Sequence, residues 1–179
     1  MTMKRLFLGT KKDLSIGAIC DVTTKKAQAF KHTYNSENKG LAGTREVALS
    51  AVVEMLKKFA IEGLTEPADF YVTSSLYKII SEESYKHWIM TGKQKNGGKL
   101  NESEYKLWLE FSSLMSELNV FIIFKDLQSA NFKGTPKFNQ AEVKYNKFYY
   151  EWLWKQIYAV YPKGVASEPE FEDDAQEPA

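Results

Sequence analysis

Three short apolar segments, each set off by a turn of a few residues, fill the first 34 positions, and this spacing constrains the fold more than any other feature. Lys4–Gly9 runs apolar to a closing Gly, Ser15–Val22 follows, and Lys25–Tyr34 alternates in character. The intervening Lys11–Leu14 and Asp21–Lys26 are short enough for hairpins, so the pattern predicts an antiparallel meander. After a polar, Gly-containing loop at Asn35–Gly43 the period changes. Val47, Ala48, Ala51, Val52, Met55, Leu56 and Phe59 recur at helical spacing, predicting a helix capped by Thr44 and running to about Ile61. Gly63 and Pro67 end it.

The rest alternates strand and helix. Asp69–Thr73 is short and apolar, as a buried parallel strand should be. Leu76–Met90 reads as one helix, Gly92–Lys99 as a basic loop, and a further helix starts at Asn101 or Ser103 and runs to Leu118. Asn119–Lys125 reads as a fifth strand and Asp126–Phe138 as a loop. A long aromatic helix starts at an Asn139 cap and runs to about Tyr161. This order predicts an α/β fold: a five-stranded mixed sheet, a three-strand antiparallel meander plus two parallel strands, flanked by helices.

A length of 179 residues suits one domain, and the 14% aromatic share argues for a packed globule. No apolar run approaches the ~20 residues of a membrane span, and the apolar start is too short for a signal peptide, so a cytoplasmic, membrane-free protein is expected. Cys20 is the only cysteine and His32 and His87 the only imidazoles, which excludes an intramolecular disulfide and a Cys/His zinc pattern. No cofactor is implied.

The net charge of +1 hides an asymmetry. After Lys163 there are six acids and no base, so that end carries −6 and the residues before it +7. Residues 1–162 are expected to form the domain, and 163–179 an acidic, disordered tail. That tail is either a solubilising end or an intramolecular mimic of a polyanion. A basic body permits nucleic-acid binding without requiring it.

The segment Phe70-Tyr-Val-Thr-Ser-Ser-Leu-Tyr-Lys-Ile-Ile80, followed by Trp88, Gly92, Asn96-Gly97-Gly98-Lys99-Leu100 and Tyr105-Lys-Leu-Trp108, resembles the central half of ribonuclease H type I. In that family a buried strand ends in Thr-Asp-Ser-x-Tyr, a helix carries a Trp, a basic loop follows, and a second helix carries Leu-Trp. The resemblance spans roughly Leu6 to Tyr158 and is specific in Phe70–Trp108.

It implies two divalent metals held by four carboxylates, of which this sequence keeps few. Gly9 stands where the first strand would end in Asp. Ala48 stands at the helix Glu, since sliding the frame to Glu46 would rotate it by ~200°. Ser74 replaces the Asp after the fourth strand. Glu142 alone matches the fourth acid, and it serves equally as a first-turn acid of its helix. Ser, Gly and Ala cannot chelate Mg²⁺, so a degenerate member without catalysis is expected.

Binding is what the resemblance leaves. Lys86, Lys93, Lys95, Asn96 and Lys99, with Trp88 among them, match a basic protrusion that grips a nucleic-acid strand, although a solvated charge run looks the same. Thr44 and Arg45 match a phosphate-contacting helix start, or Thr44 is only a cap. Structured nucleic acid, an RNA–DNA hybrid or duplex RNA, is the implied partner. Two alternatives stay open. One is a protein-interaction module using Tyr145, Tyr149, Trp152 and Trp154 of the closing helix, an inhibitor or assembly subunit. The other is a residual nuclease rebuilt on Asp13, Glu46 and Glu142.

Overall fold

The computed structural model describes residues 3–38, 40–94, 98–118, 121–131 and 140–162. Strands β1 (Lys4–Lys11), β2 (Leu14–Asp21) and β3 (Lys26–Thr33) form the meander, antiparallel and paired along their full lengths. Lys12, at φ 56°, turns β1 into β2. At the next turn the Asp21 carboxylate accepts the amides of Thr23 and Thr24, which holds its pKa below the usual carboxylate value. β4 (Ala68–Val72) lies parallel along β1 and β5 (Ile122–Asp126) parallel along β4, giving the order β3-β2-β1-β4-β5. The mixed five-stranded sheet expected from the spacing is the one that forms.

Alternation along β1 sorts the helices onto two faces. Leu6 and Leu8 point into a core shared with α1 (Gly40–Glu62), α2 (Ser74–Ser81), α3 (Ser84–Thr91) and α4 (Glu102–Leu118). Phe7 faces the opposite core, closed by α5 (Gln140–Val160) and by a 3₁₀ turn at Leu127–Asn131. Phe7 stacks on Tyr71 of β4 and on Tyr149 of α5, at 5.0 and 5.7 Å between ring centres.

Several boundaries differ from expectation. α1 begins at Gly40, whose φ is 66°, and not at Thr44. Thr44 lies one turn inside, its hydroxyl donating back to the Gly40 carbonyl at 3.3 Å, so it is no cap. Gly43 permits this start, because a Cβ there would stand 2.5 Å from the Asn38 carbonyl oxygen. The single helix expected over Leu76–Met90 is two, broken where Glu83 adopts φ 59°. The break re-aims the apolar face: Leu76 packs beside the sheet, while Tyr85 and Trp88 meet Trp108 of α4. β5 starts at Ile122 and not at Asn119. Asn139, most of the predicted Asp126–Phe138 loop and the acidic end 163–179 lie outside the described residues. Among the described residues no helix is long and apolar enough to cross a membrane.

Candidate functional site at the carboxyl edge of the sheet

β1, β3, β4 and β5 share one direction, so their C-terminal ends lie along one edge. There the amide of Tyr34 donates to the Asp13 carbonyl at 2.9 Å, tying the end of β3 to the β1–β2 turn. Asp13 in turn accepts the Tyr161 hydroxyl from the end of α5.

Asp13, Glu46, Glu104 and Asp126 at this edge are all engaged. Glu46 is fully buried and accepts from the Tyr34 hydroxyl, from Ser36 at 3.0 Å, from Asn38 Nδ2 at 2.9 Å and from Ser103 at 2.9 Å. Four donors satisfy a carboxylate that would otherwise be costly to bury. Burial, and after it the bond to Glu46, pushes the Tyr34 phenol up to about 12. Glu104, 1% exposed, receives Arg45 through Nε and Nη2, both at 2.7 Å, and Trp108 Nε1 at 3.1 Å. Asp126 closes β5 and accepts from Ser74 at 2.7 Å and from the Gln128 amide at 3.0 Å.

The positions matched to metal ligands sit apart. A Cβ on Gly9 would meet Leu153 Cδ1 at 2.5 Å and Ile157 Cδ1 at 3.1 Å, so α5 fills the space that an acid there would need. Ala48 points into the α1 core, 1% exposed. Ser74 is spent on Asp126. Glu142 lies 3.1 Å from Arg5 Nη2, near the other end of β1. Four residues of strand, ~13 Å, separate Arg5 from Gly9, because α5 begins beside the amino end of the sheet and ends beside its carboxyl end. This placement removes Glu142 from any grouping with Gly9 or Ser74, and from Asp13 and Glu46 as well. Among the described residues no three His, Cys, Asp or Glu side chains converge where a metal could bind. A two-magnesium centre needs converging carboxylate oxygens, and this donor set does not fit it.

The expected nucleic-acid contacts divide. Lys93 and Lys99 are exposed and face each other across a narrow antiparallel bridge. Gln94 N donates to Gly98 O at 2.7 Å and Thr91 Oγ1 to Lys93 O at 3.2 Å, so both cations flank a hydrogen-bonded bridge. Lys95 and Asn96 lie outside the described residues. Lys86 is exposed and pairs with Glu83 at 3.1 Å. Trp88 is buried, its ring 5.2 Å from the Arg45 guanidinium on one side and 5.8 Å from Trp108 on another, and it offers no face to a base. Arg45 is committed to Glu104 and Thr44 to its own helix, so neither presents itself to phosphate.

The closing helix needs a similar correction. Trp154 is wholly buried against β1 and cannot meet a partner. Tyr145, Tyr149 and Trp152 are half-buried, and the exposed ring is Phe148, at 61%. Sequence reasoning also left two groups unread. Asp126 announces itself only as an acid directly after an apolar run. The chain Glu142–Arg5–Asn146–Tyr71 gave no local signal, though Arg5 donates to Asn146 Oδ1 at 3.0 Å and Asn146 Nδ2 to the Tyr71 hydroxyl at 3.1 Å. Beside it Cys20 is buried, which pushes its thiol up to about 11.

No protein-family model matches the sequence, and no curated protein does either. Solved structures do. The chain is similar to the protease–reverse transcriptase of prototype foamy virus, with a TM-score of 0.53 at 10% identity over 88% of this chain and 21% of that one. It is similar to the ribonuclease H domain of the same virus in solution, with a TM-score of 0.51 at 12% identity over 88% of this chain and 94% of that domain. The chain spans about a fifth of the protease–reverse transcriptase and nearly all of the isolated domain. The fold is ribonuclease H-like.

Proposed function

We propose that this ribonuclease H-like chain is a non-catalytic domain that binds structured nucleic acid, an RNA–DNA hybrid or duplex RNA. One observation carries the first half of that reading. Asp13, Glu46, Glu104 and Asp126 are each bound by protein donors, and the space beside Gly9 is taken by Leu153 and Ile157. The second half rests on the Lys93–Lys99 turn, which holds two exposed cations with no ion-pair partner among the described residues. Cations on a fixed turn bind phosphate irrespective of base sequence. A fold by itself does not deliver function, so the proposal stands on these residues.

The test is a titration of a fluorescein-labelled RNA–DNA hybrid at several salt concentrations. Affinity should fall linearly with the logarithm of salt concentration, and Lys93→Glu and Lys99→Glu should each lower the slope by about one. Binding that ignores salt, or survives both reversals, would remove the reading. So would Mg²⁺- or Mn²⁺-dependent cleavage of the hybrid that Asp126→Asn abolishes.

A further inference from the structure

The last helix delivers the chain to the same edge of the sheet. The Tyr161 amide donates to Ile157 O at 2.8 Å, its hydroxyl donates to Asp13, and Lys12 Nζ lies 5.0 Å from its ring centre. The described residues therefore end, at Pro162, beside the β1–β2 turn.

A bonded path leads from that point to the basic turn. Asp13 O accepts the Tyr34 amide at 2.9 Å, and the Tyr34 hydroxyl donates to Glu46. Glu46 accepts Ser103 at 2.9 Å, and Ser103 donates also to Asn101 Oδ1 at 3.1 Å. Asn101 stands two residues from Lys99. The exit of α5 and the Lys93–Lys99 turn thus belong to one continuous edge.

Beyond Pro162 the sequence holds one base, Lys163, and six acids: Glu168, Glu170, Glu172, Asp173, Asp174 and Glu177. Glu168 can reach ~20 Å from Pro162 and Glu177 ~50 Å, at ~3.3 Å per residue. Six carboxylates within ten residues offer lysines what a phosphate backbone offers, a row of anionic oxygens. Tethering supplies them at an effective concentration on the order of millimolar, so weak individual contacts suffice.

We propose that Glu168–Glu177 docks on the lysines of this edge, Lys12, Lys93 and Lys99, and competes there with nucleic acid. The inference rests on the binding reading above and adds regulation to it. Salt weakens the competitor along with the ligand, so the intact chain shows a shallower salt dependence than a chain without the acids.

Three measurements on this chain decide it. Zero-length carbodiimide cross-linking of the free protein should join these acids to Lys12, Lys93 and Lys99, and an added hybrid should suppress the links. A variant with all six acids changed to Gln or Asn should bind the labelled hybrid at least tenfold more tightly at 50 mM salt, with the gain shrinking at 300 mM. A peptide of residues 168–177 should compete with the hybrid for that variant, and lose its effect on Lys93→Glu. A net-charge effect alone would give tighter binding with links scattered equally over Lys25, Lys58 and Lys155, and that overturns the proposal. Equal affinity of both forms overturns it too, while leaving the binding reading intact. Failure of both forms to bind removes the binding reading and the competition with it.

Discussion

Arg45 and Glu104, 59 positions apart, close a bidentate ion pair with both contacts at 2.7 Å and the guanidinium laid over Trp88. The pair joins the first turns of α1 to the start of α4 and consumes the arginine that the motif placed at a phosphate. Glu104 is 1% exposed, so its stability depends on the partner.

Arg45→Ala should therefore cost about 3–5 kcal/mol, the penalty of stranding a buried charge. The double replacement Arg45→Met with Glu104→Leu should recover most of it, since apolar side chains of similar volume need no partner. Urea unfolding midpoints for the three variants check this. A large loss in the double variant would show that the pair does more than satisfy itself.

Gly9→Ala is expected to destabilise by about 1–3 kcal/mol, because its Cβ arrives 2.5 Å from Leu153 Cδ1. Gly9→Asp should cost more, having no partner for its charge among Leu153, Ile157 and Trp154. A cycle of Gly9→Ala with Leu153→Ala should show a coupling of about 0.5–3 kcal/mol that favours the double variant. Additive losses would mean the helix simply shifts away.

Two aromatic residues of α5 should behave oppositely. Trp154→Ala, at a fully buried site, should cost about 3–5 kcal/mol. Phe148→Asp, on the open side, should change stability by no more than about 0.5 kcal/mol. If Phe148→Asp also abolishes capture of a partner protein, the interaction-module alternative gains its anchor.

His32 bonds Ser50 of α1 at 2.8 Å through Nε2, and burial lowers its pKa below the ordinary 6.5, with Glu54 opposing more weakly. The unfolded chain takes up this proton first as pH falls. Stability from this source is complete above about pH 7 and declines as pH drops through the imidazole range. Thermal midpoints from pH 7.5 to 5.5 should fall less in His32→Gln than in the parent. Parallel curves would assign the loss to another group.

Periodicity and turn chemistry made the sheet legible. The meander, the fourth strand and the long α1 are local patterns, and each forms, though β4 runs Ala68–Val72 where Asp69–Thr73 was expected and α1 starts four residues early, at Gly40. The break at Glu83 was not legible, since a left-handed Glu carries no composition signal and the face change it serves is set by Trp108 in another helix. At the site, the residue types at Gly9, Ala48 and Ser74 could be read position by position. Their surroundings could not. Leu153 over Gly9, Asp126 on Ser74 and Arg5 on Glu142 are long-range meetings, fixed by how α5 lies across β1.

That lie of α5 bears on what mutation can reach. An aspartate arising at position 9 meets the methyl groups of Leu153 and Ile157, so that change lowers stability. An acid at this position would require the helix to be resurfaced in concert with the strand.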